Sequence, residues 1–100
     1  MTSQLPVGEH SVGSVTVRYW ASARAAAGVE SDEVPLDRGT TLADILAAVD
    51  LLHPDRPRLR EVVAVCSVLV DDRPVGSVDP RSVVLAPGET VELLPPFAGG

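Results

Sequence analysis

The stretch TTLADILAAVDLLH, residues 40–53, decides the fold class of this chain. Its apolar side chains recur at the spacing of one helix face, at Leu42, Ile45, Leu46, Val49 and Leu52. Thr40 or Thr41 provides a hydroxyl N-cap, and Asp44 stands three residues after Thr41. A helix with one apolar stripe has to bury that stripe, so the segment predicts a helix that covers one face of a sheet.

The first strands of that sheet are predicted before the helix. In VTVRYW, residues 15–20, the two valines and the tyrosine share one face, which is the alternation of a β-strand. The alanine-rich residues 21–28 predict a short helical turn that stops at Gly28. Residues 30–36 predict a second strand, and Pro35 favours a position at the edge of the sheet.

The remaining strands are predicted after the helix. Residues 59–63 predict a short helical turn, and CSVLVDD, residues 66–72, predicts a buried strand that ends in an Asp-Asp turn. A short extended piece and a last strand over residues 90–94 follow, separated by turns at Asp79-Pro80 and Pro87-Gly88.

This order of elements predicts an α+β domain over residues 15–94, with a mixed sheet of four to five strands and one main helix packed on one face. Residues 1–14 mix polar residues, glycine and proline without a sustained period, so they predict a flexible leader. Residues 95–100 predict an extended C-terminal Gly-Gly tail.

Charge and length limit the partners. A chain of 100 residues makes about one domain with a modest core. Its net charge of −6, from 14 acidic and 8 basic residues, repels phosphates and anionic lipids, so we expect neither nucleic acid nor a membrane as partner. A basic protein surface fits this charge better.

Cysteine and lysine usage add two limits. The single cysteine excludes an internal disulfide, and the sequence shows neither a signal-peptide pattern nor an apolar run of about 20 residues, so the expected compartment is the cytoplasm. All eight basic residues are arginine, which excludes a lysine-linked modification of this chain.

The ending LLPPFAGG, residues 93–100, is the most distinctive functional signal. Pro95 and Pro96 lack a backbone N–H, so they end the last strand and hold the chain extended as it leaves the sheet. Six residues reach at most roughly 20 Å, and Gly99 and Gly100 add no side chains. Such a tail can enter a narrow channel.

The carboxylate at the end of this tail is a poor electrophile until it is activated. If an ATP-dependent partner adenylated it, sulfur could attack the acyl carbon and leave a thiocarboxylate at Gly100. The tail would then be a covalent carrier arm that two different active sites close around, and glycine leaves them room.

The segments VTVRYWASARAAAG, TTLADILAAV, CSVLVDD and PGETVELLPPFAGG together resemble the ubiquitin-like β-grasp sulfur carriers, most closely the small subunits of molybdopterin synthases, over about residues 15–100. The resemblance implies the β-grasp fold, no bound cofactor or metal, and no independent active site. It implies that Gly100 carries the sulfur, that Gly99 provides clearance, and that Pro96, Phe97 and Ala98 line the channel of a partner.

The same resemblance implies two protein partners. One is a ubiquitin-activating-like adenylyltransferase and sulfurtransferase, which uses ATP. The other is the large synthase subunit, where the sulfur goes to the pterin precursor of the molybdenum cofactor and two small subunits complete a heterotetramer. The length of the carrier domain favours this branch over the shorter thiamine carriers.

Three alternatives stay open. The first is a carrier of the same chemistry for thiamine or cysteine synthesis. The second is a ubiquitin-like modifier joined to target amines through Gly100. The third is an interaction domain whose tail is idle.

Six other residues have a structural and a functional interpretation. Cys66 is interpreted as a small buried hydrophobe rather than a nucleophile. His53 is interpreted as solvated or as interacting with the helix C-terminus rather than binding metal, and His10 is far from it in sequence. Asp71 and Asp72 are explained by a turn. Trp20 is interpreted as core or rim packing, and an outward orientation would make it a partner anchor.

Overall fold

The computed structural model describes residues 12–96. Within that range the chain forms five strands, three helices and one 3-10 turn. In chain order these are β1 (Gly13–Tyr19), α1 (Ala21–Ala27), β2 (Ser31–Leu36), α2 (Leu42–Leu52), α3 (Pro57–Ala64), β3 (Ser67–Val70), β4 (Arg73–Pro74), the 3-10 turn (Pro80–Ser82) and β5 (Thr90–Leu94). The predicted order is confirmed, and each predicted helical turn is a short helix.

The sheet is mixed and its last strand lies at the centre. The strand order is β2-β1-β5-β3-β4. β1 and β5 run parallel, and the other neighbours are antiparallel. Pro35 lies in β2 at the sheet edge, as predicted, where a missing N–H costs no ladder hydrogen bond.

The core lies between one face of the sheet and the helices. Alternate residues of the two central strands are buried, and α2 buries three residues of its apolar stripe, as the 3.6-residue period requires. The main contributors are Val15, Val17, Val91 and Leu93 from the sheet and Leu42, Ile45 and Val49 from α2. Burying each such side chain stabilises the fold by about 1.5–3 kcal/mol, so this layer fixes the position of β5.

The predicted cap of α2 is confirmed, whereas the predicted burial of one residue of its apolar stripe, Leu52, is wrong. The Thr41 hydroxyl accepts a hydrogen bond from the Asp44 N–H, and the Asp44 carboxylate accepts one from the Thr41 N–H. Leu52 is 47% exposed. It is the last residue of α2, so no further helical turn encloses it on the core side.

Two predicted boundaries differ from the structure. β1 begins at Gly13, before the predicted start of the domain, because Gly13 and Ser14 already pair with β2. β3 covers only Ser67–Val70, and within it only Val70 is buried. Cys66 was predicted to lie on this strand but precedes it, because α3 and its C-cap, Val65, occupy the chain up to that point.

The Asp-Asp turn is confirmed. Asp71 and Asp72 have φ angles of 49° and 68° and connect the paired residues Val70 and Arg73. Two consecutive positive φ angles are typical of a type I′ hairpin loop, a conformation that aspartate tolerates. None of the helices described for residues 12–96 has the length and apolar character needed to cross a bilayer.

Candidate functional site: the root of the C-terminal tail

Only one of the predicted site residues lies in the part of the chain that the structure describes. Pro96 is described and is exposed. Phe97, Ala98, Gly99 and Gly100 lie outside the described residues. The site is therefore built from the residues that support the tail.

β5 supports the tail from the most constrained position in the sheet. It pairs with β1 on one side and with β3 on the other. Val91 and Leu93 are fully buried on the core face. A strand with neighbours on both sides and a buried face opens only with the whole domain, so the tail starts from a rigid support.

The strand ends in an organised exit. Leu94 pairs with Ser67 of β3, and the carbonyl of Leu93 accepts a hydrogen bond of 3.2 Å from the Trp20 N–H. Pro95, which follows, is half-buried and offers no N–H to either neighbour. The hydrogen-bond ladder of the central strand therefore stops where the predicted tail begins.

Trp20 lies beside this exit and faces outwards. Its side chain is 39% exposed. The indole N–H donates to the Glu92 carboxylate over 3.0 Å, and the Arg18 guanidinium lies 4.8 Å from the centre of the ring. Trp20 was predicted to pack in the core or at its rim, but it belongs neither to the core nor to the residues packed against it. The indole instead has the outward exposure that a partner anchor needs.

Sequence reasoning missed Arg18 and Glu92 as members of this cluster. Trp20 and Glu92 are 72 positions apart, and only the parallel pairing of β1 with β5 brings them together. Alternation does place Arg18 on the outward side of β1, and Glu92 lies between the buried Val91 and Leu93. The alternation in the sequence therefore indicates the face on which both residues lie, but nothing in the sequence indicates their contact with Trp20.

Cys66 has the properties of a structural thiol. It is half-buried against the core, and its Sγ donates to the carbonyl of Val62 at 3.2 Å. Burial raises the pKa of the thiol to about 11, so it is protonated at neutral pH. The predicted hydrophobic packing is confirmed, although burial is partial because Cys66 links α3 to β3 rather than lying on the strand.

His53 has a different role from the one predicted. It is the C-cap of α2, but its Nε2 lies 2.7 Å from Oδ2 of Asp32 on β2. The same oxygen accepts a hydrogen bond of 2.7 Å from the Tyr19 hydroxyl, and the Tyr19 and His53 rings meet edge to face. The interpretation of His53 as solvated was wrong, because the half-buried Asp32 provides an acceptor from another element.

The phenol of Tyr19 is unsuited to acid–base chemistry. Burial, followed by the hydrogen bond to Asp32 and the charge of Asp32, raises the pKa of the phenol far above its usual range. Within residues 12–96, no group of three or more His, Cys, Asp or Glu side chains is arranged to hold a metal ion. His10 lies outside the described residues.

Comparison with known proteins identifies the class. The model of the ThiS family matches residues 17–100. The molybdopterin synthase sulfur carrier subunit of Chlamydomonas reinhardtii is 30% identical over 86 residues, which cover 86% of this chain and 98% of that protein.

Two solved structures share the fold. SAMP1, a small archaeal modifier protein from Haloferax volcanii, superposes with a TM-score of 0.73 at 24% identity, covering 88% of this chain and 100% of its own. A chain in the complex of subunits 1 and 2 of the molybdopterin-converting factor from Helicobacter pylori gives a TM-score of 0.58 at 23% identity, covering 87% of this chain and 99% of its own.

The mixed sheet with its central last strand and its main helix is thus a ubiquitin-like β-grasp fold, as the sequence predicted. The match over residues 17–100 further shows that the chain belongs to the ThiS family.

Proposed function

We propose that this chain is the sulfur-carrying small subunit of a molybdopterin synthase and that Gly100 carries the sulfur. The observation that carries the proposal is the 30% identity to the Chlamydomonas sulfur carrier subunit across 98% of that protein. The rigid support of the tail, with β5 at the centre of the sheet and Pro95 and Pro96 after it, agrees with this role.

The proposed chemistry has three steps. The Gly100 carboxylate attacks the α-phosphorus of ATP, and pyrophosphate leaves. A sulfur nucleophile at the oxidation level of sulfide then displaces AMP from the acyl carbon and forms the thiocarboxylate. Finally, the thiocarboxylate sulfur attacks a carbon of the pterin precursor and displaces an oxygen-linked leaving group from it, which forms a thioester. Water then cleaves the acyl C–S bond of that thioester, so that the sulfur stays on the pterin and Gly100 is released as a carboxylate for another cycle. Glycine at positions 99 and 100 lets two enzymes approach the same backbone.

In this mechanism the chain has no independent active site. Its contribution is to present the tail at a fixed place, while the partners provide acids, bases and the nucleotide site. The protonated thiol of Cys66 and the buried phenol of Tyr19 agree with that division, since neither is a ready nucleophile near neutral pH.

The proposed partners are the large synthase subunit and an ATP-dependent activating enzyme related to the ubiquitin-activating enzymes. The Helicobacter pylori structure is a complex of two subunits of the molybdopterin-converting factor, which supports a large-subunit partner. Trp20, with its indole fixed by Glu92 beside the tail, is the proposed anchor for that contact. We place the assembly in the cytoplasm, as a heterotetramer.

A second function competes with this one. The similarity to SAMP1 at a TM-score of 0.73 favours a ubiquitin-like modifier, and carriers for thiamine or cysteine synthesis share the same tail chemistry. As a modifier, this chain could not build lysine-linked polymers of itself, because its eight basic residues are all arginine. We would then expect single additions to target proteins.

Genetic complementation separates these functions. In a bacterial strain without its own molybdopterin synthase small subunit, we expect the full chain to restore nitrate reductase activity, a molybdenum-dependent function. The chain without Gly99 and Gly100 should not restore it, although it should accumulate to the same level. Rescue of a strain without its thiamine sulfur carrier, with no rescue of nitrate reductase, would contradict the proposed acceptor.

A further inference from the structure

One strained backbone position lies next to the root of the tail. Within residues 12–96, three residues other than glycine have a positive φ angle. Asp71 and Asp72 are two of them, and the hairpin loop explains their conformation. The third is Ala21, with a φ angle of 50°, and it follows Trp20 directly. This region is unfavourable for an L-residue with a Cβ atom, so Ala21 stores strain.

The packing of Ala21 does not explain the strain. Its side chain is exposed, whereas the buried alanines of α1 are Ala23 and Ala27. The methyl group of Ala21 therefore adds little to the core. A strained residue persists only where the surrounding structure fixes it, and such residues cluster at functional sites.

The surrounding structure fixes Ala21 through the backbone of Trp20. The Trp20 N–H donates to the carbonyl of Leu93 at 3.2 Å, which continues the pairing of β1 with β5 by one residue. The Trp20 carbonyl accepts from the N–H groups of Ala23 at 2.9 Å and Arg24 at 3.3 Å, which begins α1. Trp20 is thus the only residue between the strand and the helix, and the chain changes direction at Ala21.

This corner sets the orientation of the indole. Because Trp20 keeps an extended backbone, with φ of −116° and ψ of 149°, the alternation of β1 continues through it. Tyr19 therefore points into the core, and Trp20 points outwards to Glu92 and Arg18. A relaxed corner would end the strand pairing at Tyr19 and release the indole from this position.

We propose that Ala21 is a positioning residue, whose strained conformation holds the indole of Trp20 beside the tail in the orientation that a partner receives. The methyl group matters here, because it confines the backbone to a narrow range that glycine would leave open. A side chain held in its bound orientation loses less conformational entropy on binding. The inference rests on the proposed role of Trp20 as the anchor for the large subunit.

Ala21→Gly separates positioning from stability. Glycine adopts a positive φ freely, so the midpoint of urea unfolding should stay the same or rise. Trp20 is the only tryptophan of the chain, so a single indole signal reports its motion. We expect the ¹⁵N order parameter of that indole to fall from about 0.85, typical of a rigid group, towards about 0.6.

The same variant should also bind its partner less well. One side chain that has to be immobilised on binding lowers the affinity about 2- to 10-fold. In the strain without its own small subunit, at equal and limiting expression, Ala21→Gly should therefore restore about 2- to 10-fold less nitrate reductase activity than the unchanged chain.

The matched control is Ala25→Gly, on the same helix, at an exposed position without a positive φ. Glycine weakens a helix interior, so this variant should lower the urea midpoint and leave the indole order parameter unchanged. An Ala21→Gly chain that loses stability like the control and keeps a rigid indole would overturn the proposal.

Two outcomes of the activity assay have different meanings. A mobile indole in Ala21→Gly with full restoration of nitrate reductase would overturn the link between the position of Trp20 and the partner. If the unchanged chain restores no activity, the proposed function fails instead, and the urea and NMR comparison with Ala25→Gly still decides whether Ala21 positions Trp20.

Discussion

At the residue scale, burial suppresses the ionisation of two side chains, Cys66 and Tyr19. The thiol of Cys66 is partly enclosed by the core, and the phenol of Tyr19 is held by Asp32. Both groups keep their protons near neutral pH because burial disfavours their anions. Neither group is therefore a ready nucleophile near neutral pH.

The raised pKa of Cys66 predicts slow alkylation. At pH 7 to 8 only a small part of the thiol is ionised, so the rate with iodoacetamide should rise about tenfold per pH unit and level off near a pKa of about 11. Ser67→Cys in a Cys66→Ser background places a thiol at the next, exposed position and should react faster at pH 8. A levelling of the Cys66 rate near the ordinary thiol pKa would contradict the role of burial.

Asp32 predicts a stability effect at the same scale. Asp32→Ala leaves the Tyr19 hydroxyl and the His53 N–H without their acceptor, and an unsatisfied buried donor costs about 1–3 kcal/mol. Asp32→Asn keeps an acceptor oxygen and should lose less. Urea denaturation measures both changes in the free energy of unfolding, and equal losses would show that these hydrogen bonds contribute little.

At the element scale, the cap and the apolar period in the sequence of α2 agree with how this helix packs. Thr41 and Asp44 form the cap that their spacing predicts, and Leu42, Ile45 and Val49 are buried as the period predicts. Leu52 follows the same period but is exposed. A helical period predicts the direction in which a side chain points, and it does not predict whether other residues cover that side chain.

The capping box predicts a measurable loss. Thr41→Ala removes the acceptor for the Asp44 N–H and should lower the free energy of unfolding by about 1 kcal/mol. Thr41→Ser keeps the hydroxyl and should stay within a few tenths of the original value. Equal losses in the two variants would mean that the threonine methyl group, rather than the cap, stabilises α2.

At the scale of the whole molecule, the sheet joins the two ends of the described chain. β1 and β5 lie side by side, which places Trp20 against Glu92 and leaves the tail to start from the centre of the sheet. The two faces of the sheet therefore differ. The face away from the helices carries Trp20 with Arg18 and Glu92, and the face toward the helices carries the buried core.

The sequence predicts what depends on neighbours along the chain and misses what depends on long-range pairing. The cap at Thr41, the Gly28 stop and the Asp71-Asp72 turn are local, and all are confirmed. The contact of His53 with Asp32 joins a helix end to an edge strand, and no periodic pattern contains it. The roles predicted for Phe97 to Gly100 stay predictions, because these residues lie outside the described part of the chain.

The intact mass of the chain tests the central claim most directly. The chain is incubated with its activating enzyme, ATP and a sulfur source, with the chain lacking Gly100 as the matched control. Exchange of one oxygen for sulfur should add about 16 Da to the full chain and nothing to the control. An unchanged mass, with an enzyme that demonstrably activates another carrier, would contradict the account of the tail as a sulfur carrier.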